Sequence, residues 1–352
     1  FMNWLYVIIS KIIIFMLFFT NNAFAGGTEV SRQNNMILFS NDKTVNFSTR
    51  TSSFNIKDDL FASDNQTVVK KLSIFSAAFK SSYSENISYA FEMYEPMAVT
   101  LQYPSGVKAQ LRSQALSLTG KYNFSDSGFG IVAGARQLTI KRSTVNIGAA
   151  LGNADVVTTP DSGIGYMAGL SYEVPAIALK VLLTQAPGID IEVPATVVGS
   201  GTVSQPTLTT LEFETGIAEN TLLYGSIHQG EHASAQVKLN GVGAISSFED
   251  GEVYNIGIGR KFNDRFSGSL SYTTEEGTSA TGTSLLSPTN GTDTYSLGLN
   301  YSTETVDIAF GYAMSVYGDK AVTTLIGGNP FTGNFKNNDA STVGLRIKFK
   351  LQ

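Results

Sequence analysis

The sequence predicts an all-β protein: a transmembrane antiparallel β-barrel of about 14 strands preceded by a short N-terminal segment. Three observations predict it. Apolar side chains recur with period two along most of the chain, while the helical period is nearly absent. Connections between the alternating runs switch between short turns and long polar loops. The strand count is even, which returns the last strand to the side where the first began.

The elements follow in order. Residues 1–25 read as an export signal rather than as part of the fold. Lys11 is their one charge, the apolar run Ile12–Phe19 is too short to span a bilayer, and Ala23-Phe24-Ala25 is a small-x-small cleavage site before Gly26. Residues 26–44 form a short hatch-like segment and residues 45–352 the barrel. Strands fall at 45–54, 72–83, 86–103, 110–124, 128–141, 162–174, 176–186, 206–217, 221–229, 252–263, 265–275, 292–303, 305–317 and 339–351. Short turns sit at Ser84-Glu85, Ser125-Asp126-Ser127, Pro175, Ala218-Glu219-Asn220, Asp264 and Glu304. Long polar loops occupy 55–71, 142–161, 187–205, 230–251, 276–291 and 318–338, with a shorter one at 104–109.

The alternation is plainest near the C-terminus, where Val306, Ile308, Phe310, Tyr312 and Met314 interleave with Asp307, Ala309, Gly311 and Ala313. One face of such strands is large and apolar, and the other is Ser, Gly, Asn or charged. A soluble sandwich buries its apolar face and covers the outer one with Lys, Glu and Thr. Small, weakly charged positions instead suit a lumen, which leaves the apolar face to meet lipid. Tyr83, Tyr122, Tyr172, Tyr272 and Tyr301 lie near strand ends, where interfacial girdles form.

Composition excludes other classes. The chain carries 24 Lys and Arg against 29 Asp and Glu with no basic stripe, which argues against nucleic acid. It has no cysteine, so neither a disulfide nor a thiolate metal site is available. His228 and His232 sit near a strand end and its loop, not on one helical face, and read as solvated or luminal histidines. No serine is singled out as a partner for them, and Gly128-Phe129-Gly130 and Gly257-Ile258-Gly259 lie in strands, not phosphate loops. No catalytic, cofactor or metal site is therefore assigned. Glu92, Arg112, Lys121, Arg136, Glu173, Lys180, Glu212, Glu214 and Arg346 are the candidate lumen charges, placed to form an internal ion-pair network.

Four stretches carry a family resemblance: GYMAGLSYEVPAIALKVLLT (165–184), QPTLTTLEFETGIAENTLLYGSI (205–227), VYNIGIGRKFNDRFSGSLSYTTEEG (253–277) and SPTNGTDTYSLGLNYS (287–302). They resemble the FadL-like outer-membrane transporters of long-chain fatty acids and other hydrophobic compounds. The resemblance runs at low identity, in family order, over nearly the whole chain after the export signal. It implies a barrel of fourteen strands with an N-terminal hatch, in the outer membrane of a Gram-negative bacterium with the signal removed. It implies passive transport of fatty acids or other hydrophobic small molecules, without cofactor or catalysis. Membrane lipid, lipopolysaccharide and the barrel-assembly machinery are the partners that follow. Two features depart from the family: the segment 26–44 is shorter than the family hatch and lacks its Asn-Pro-Ala motif, and Phe349 stands three residues before the end, where a terminal aromatic is usual for assembly.

Pro96 falls inside the third strand, in FEMYEPMAVTL. Proline deletes a ladder bond, and in lipid such a gap costs several kcal/mol unless the backbone finds other partners. The resemblance implies a use: an inward kink of the third strand that opens the wall and lets a hydrophobic ligand leave sideways into the bilayer. Tyr94, Glu95, Pro96 and Met97 are expected to form that kink, with Glu92 and Glu95 bonding freed backbone groups or lining the opening. The competing reading ends the strand at Tyr94 and starts an exposed loop at Pro96. Two other functions stay open on the residues alone. One is a general diffusion porin, and the other is a structural or adhesin-type surface barrel. A lumen filled by residues 26–44 favours the transporter over the pore.

Overall fold

Alternation decides which face is buried in most of the barrel strands, most regularly in those near the C-terminus. The computed structural model describes residues 27–40, 43–59, 66–124, 127–326 and 329–351. The export signal at 1–25 and the turn residues Ser125 and Asp126 lie outside them. The barrel strands are β1 (Lys43–Asn55), β2 (Leu72–Ser82), β3 (Ile87–Tyr94, continued by Ala98–Gln102), β4 (Lys108–Asn123), β5 (Phe129–Ile140), β6 (Asp161–Val174) and β7 (Leu179–Ala186). They continue as β8 (Leu208–Ala218), β9 (Thr221–Gly230), β10 (Gly251–Lys261), β11 (Phe266–Glu275), β12 (Asn290–Ser302), β13 (Val306–Gly318) and β14 (Asn338–Leu351). Each pairs antiparallel with the next, and β14 pairs back onto β1 from Lys43↔Leu351 to Asn55↔Asp339. The fourteen strands therefore close into a ring, which leaves no open sheet edge.

The two faces have opposite chemistry. Phe47, Leu118, Ile131, Leu270, Leu297 and Phe310 are exposed on the outside, whereas Asn46, Arg50, Lys121, Lys180 and Glu214 are buried inside. This inverts the soluble arrangement, as a surface that meets lipid requires. The inward Gly257 makes room for a neighbouring ring: a Cβ there would collide with Tyr224, which lies buried across from it on β9.

Three features differ from the sequence reading. The seventh strand begins at Leu179 rather than 176, because Pro175–Ile177 form a 3-10 turn closed by Ala178 at φ +51°. The loops 187–205 and 318–338 are not irregular. They fold as hairpins, Ile189–Ala195 with Gly199–Gln205 and Lys320–Ile326 with Asn329–Phe335, which satisfies backbone groups in a thick cap at the long-loop end.

The third difference is in β3. Tyr94 faces Ala115 on β4, but Ala98 faces Arg112, so three residues of β3 stand opposite two of β4. That is a β-bulge spanning Glu95, Pro96 and Met97. The β2–β3 ladder ends at Ala77↔Met93, and the continuation of β3 pairs instead with the segment before β2, through Lys70 N–H to Thr100 O (2.8 Å) and Gln102 N–H to Val68 O (2.9 Å). Ser73–Ser76 of β2 is left with no ladder partner on its β3 side among the described residues. Pro96 itself is buried, not part of an exposed loop.

The lumen is filled from the N-terminal side. Asn35–Phe39 form a 3-10 turn whose five residues are all buried, and Met36, Ile37, Leu38 and Phe39 pack on the inward Ala78, Ala90, Val132, Met167, Leu182 and Ala186.

Candidate functional site: an interrupted wall beside a charged lumen

A bulge inside a barrel wall frees backbone groups that must be satisfied elsewhere. The N-terminal segment does this. Val30 N–H donates to Pro96 O (2.7 Å), Ala98 N–H donates to Thr28 O (3.1 Å), and the Ser31 hydroxyl donates to Glu95 O (2.5 Å). On the other side, the buried Ser113 hydroxyl accepts from Met97 N–H (2.9 Å) and donates to Met97 O (2.8 Å). The extra residue is thus held from both flanks. The partners come from residues 28–31 and Ser113 rather than from Glu92, whose carboxylate accepts Asn34 N–H (2.9 Å). Glu95 instead takes the Arg112 guanidinium in a two-pronged pair, Nε to Oε1 at 2.5 Å and Nη2 to Oε2 at 2.6 Å.

Beneath the bulge lies a cavity of about 130 Å³. Glu29, Arg32, Arg50, Glu92, Tyr94, Arg136, Glu212, His228 and Arg346 contribute to its lining, and so do Ile74, Phe75 and Ser76 of the unpaired β2 stretch. Glu29 anchors the N-terminal segment there, accepting from Arg32 Nε (3.0 Å) and lying 3.2 Å from His228 Nε2. Burial alone would raise the Glu29 carboxyl, but His228 and Arg32 outweigh it and hold that group well below the usual carboxylate range. Burial pulls the His232 imidazole down, against the opposing pull of Glu29. Among the described residues, Arg50 Nη2 and Arg136 Nε make no hydrogen bond within the protein, so the cavity presents charged donors.

A second cluster fastens the plug nearer the short-turn end. Lys121 pairs with Glu173, Lys180 pairs with Glu214 at 2.8 Å, and Lys80 donates to Ser40 O. The Phe39 ring lies 3.7 Å from Lys121 Nζ and 5.9 Å from Lys180 Nζ, so two buried cations meet one aromatic face.

At the long-loop end the chemistry changes. Val99, Leu101, Leu111, Val193, Val203 and Leu239 line an apolar chamber of about 60 Å³. Ile245, Ser246 and Leu286 are shared with an outer groove of about 370 Å³ that also touches Val107, Ile147 and Leu285. Thr28 and Phe248 connect the chamber to a narrow cleft beside Glu29 and Met97, and Glu29 and Gln205 lead on to the charged cavity. Spaces that share lining residues thus succeed one another from the loops to the bulge, apolar in the outer chamber and charged in the cavity below.

Of the residues read from sequence, Glu92, Arg136, Glu212 and Arg346 meet around one cavity, while Lys121, Glu173, Lys180 and Glu214 surround the plug. Arg112 is a correction. It shares the outward face of β4 with Leu118 and Tyr122, its side chain is 34% exposed against 3% for Lys121, and it sits at the wall rather than in the lumen. Sequence reading did not single out Glu29, Arg32, Arg50 or Ser113. Arg50 was findable, since it continues the polar inward series Asn46, Ser48, Arg50, Ser52 of β1.

No protein-family model and no curated protein matches this sequence. Solved structures do. A Pseudomonas aeruginosa FadL homologue superposes with a TM-score of 0.76 at 11% identity, covering 96% of this chain and all of the other. The Ralstonia pickettii toluene transporter TbuX gives 0.62 at 10% identity over 96% of this chain and 100% of its own. The P. putida toluene transporter TodX gives 0.65 at 9% identity over 95% and 99%. With its ring of fourteen strands, its interrupted third strand and its N-terminal plug, this chain has the fold of the FadL-like hydrophobic-compound transporters.

Proposed function

We propose that this chain is an outer-membrane passive transporter of hydrophobic small molecules, such as fatty acids or aromatic hydrocarbons, with lateral release beside β3. The observation that carries this reading is the pairing around the bulge: Ser73–Ser76 lacks a β3 partner, and Ile74 and Phe75 line the inner cavity at that point. Each methylene group buried from water contributes about 0.8 kcal/mol, so an apolar ligand fills the outer groove and the chamber readily. The charged cavity below offers it no such gain. Past Met97 and Ile74, lipid is the next apolar phase, and movement into it is downhill without an energy source. The plugged lumen disfavours a general diffusion pore, since residues 35–39 occupy the space that water and ions would need. On this reading the export signal is removed, the barrel is inserted by the assembly machinery, and lipid and lipopolysaccharide surround it.

Uptake by cells making the protein tests the proposal. Apolar probes (a fluorescent fatty acid and a radiolabelled aromatic hydrocarbon) should enter at least several times faster than in cells without it. A small sugar should enter at the same rate in both. Equal enhancement for the sugar would overturn the reading in favour of a pore.

A further inference from the structure

We infer that Arg112 is the latch of the wall opening, its guanidinium spanning the gap from Glu95 on the interrupted strand to the Ser73 carbonyl on the unpaired edge of β2. The inference rests on the lateral-release reading and adds to it the group that keeps the opening shut. Arg112 belongs to β4, and between β4 and β2 the strand β3 has turned inward to meet residues 28–31. The arginine bridges what β3 leaves open. Its Nη2 donates to Ser73 O (3.0 Å) while Nε and Nη2 hold the two Glu95 oxygens at 2.5 and 2.6 Å. Only a planar fork with several fixed donors can face a carboxylate and a carbonyl at once, which a lysine ammonium on a flexible stem cannot do in the same geometry.

Its position supports the same view. A cation on the outward face of a barrel strand is disfavoured wherever that face meets lipid, so Arg112 stands among Leu118 and Tyr122 for a reason. The carbonyl it caps belongs to the stretch whose neighbours Ile74 and Phe75 line the inner cavity. A ligand passing from Met97 to lipid crosses this line of contacts, and release of the fork widens the passage.

The absence of cysteine makes the test direct. Ser76 lines the inner cavity beside the gap, so a Ser76→Cys thiol reports the opening when it reacts with N-phenylmaleimide dissolved in the bilayer. In the Arg112→Ala background the labelling rate should rise roughly tenfold, the factor that follows from losing a hydrogen bond to a charged group. Arg112→Lys should give most of that rise, and so should Glu95→Gln, which weakens the fork without changing the outward residue. Native folding of each variant is checked by heat-modifiable migration on gels. Labelling that is unchanged or slower in these folded variants would overturn the latch while leaving the lateral opening standing. A thiol that reacts with water-borne reagent but never from the bilayer, in any background, would overturn both.

Discussion

Replacing Met36, Ile37, Leu38 and Phe39 together with serine is expected to turn a barrel without steady conductance into an ion-conducting pore. These four side chains are buried against inward-facing residues of the barrel. Each contributes about 1.5–3 kcal/mol by burial, so docking of the segment loses roughly 6–12 kcal/mol as an upper estimate. Even the lower figure shifts the docked population by about four orders of magnitude. Loss of the Phe39 ring also strips Lys121 and Lys180 of their aromatic contact, leaving both lysines with their glutamates facing open space. Planar-bilayer recording checks the expectation: discrete current steps in the variant and none in the parent. The barrel itself should survive, because the wall ladder contains no residue of this segment.

Deletion of Pro96 is expected to reduce uptake of an apolar probe to the level of cells without the protein. The bulge arises because β3 supplies three residues opposite two of β4, so removing one restores register from Tyr94 to Ala98. β3 then runs straight, Ser73–Ser76 regains its partner, and the wall closes. The repaired barrel should also resist heat better in detergent, since backbone groups in lipid are costly when unpaired. Pro96→Val separates two causes. It restores the N–H but keeps the extra residue, and its uptake should fall between the parent and the deletion. Uptake measured against surface-expressed protein checks the series, and a deletion variant that transports like the parent would contradict it.

The barrel was legible because a strand with lipid on one face and the lumen on the other must alternate, as the strands between Tyr254 and Phe349 do. The loop-end hairpin at 189–205 carried the same signal in miniature, with Ile189, Ile191 and Val193 buried and Asp190 and Glu192 exposed. Its short length and its flanking Gly, Ser and Thr made it resemble a loop. Arg112 was misplaced for a physical reason. Beside the bulge the usual polarity of the faces is reversed: Leu111 points inward to line the apolar chamber, and Arg112 points out, held by Glu95 and the Ser73 carbonyl. Residue type therefore stops reporting the face. The proline drew attention to β3, yet the extra residue that makes the bulge shows only in the pairing with β4. The docking of residues 27–40 could not be read from an apolar run of four, Met36 to Phe39, because burial against a barrel interior leaves no local period.

On the proposed function a ligand leaves through the wall and not through the short-turn end. Photo-crosslinking with an apolar diazirine probe, added from the long-loop side to the protein in lipid vesicles, tests it most directly. Adducts mapped by mass spectrometry should fall on Met97, Ile74 and Phe75. Adducts on Phe39 and Lys121, with none at the bulge, would show passage along the barrel axis and contradict the account.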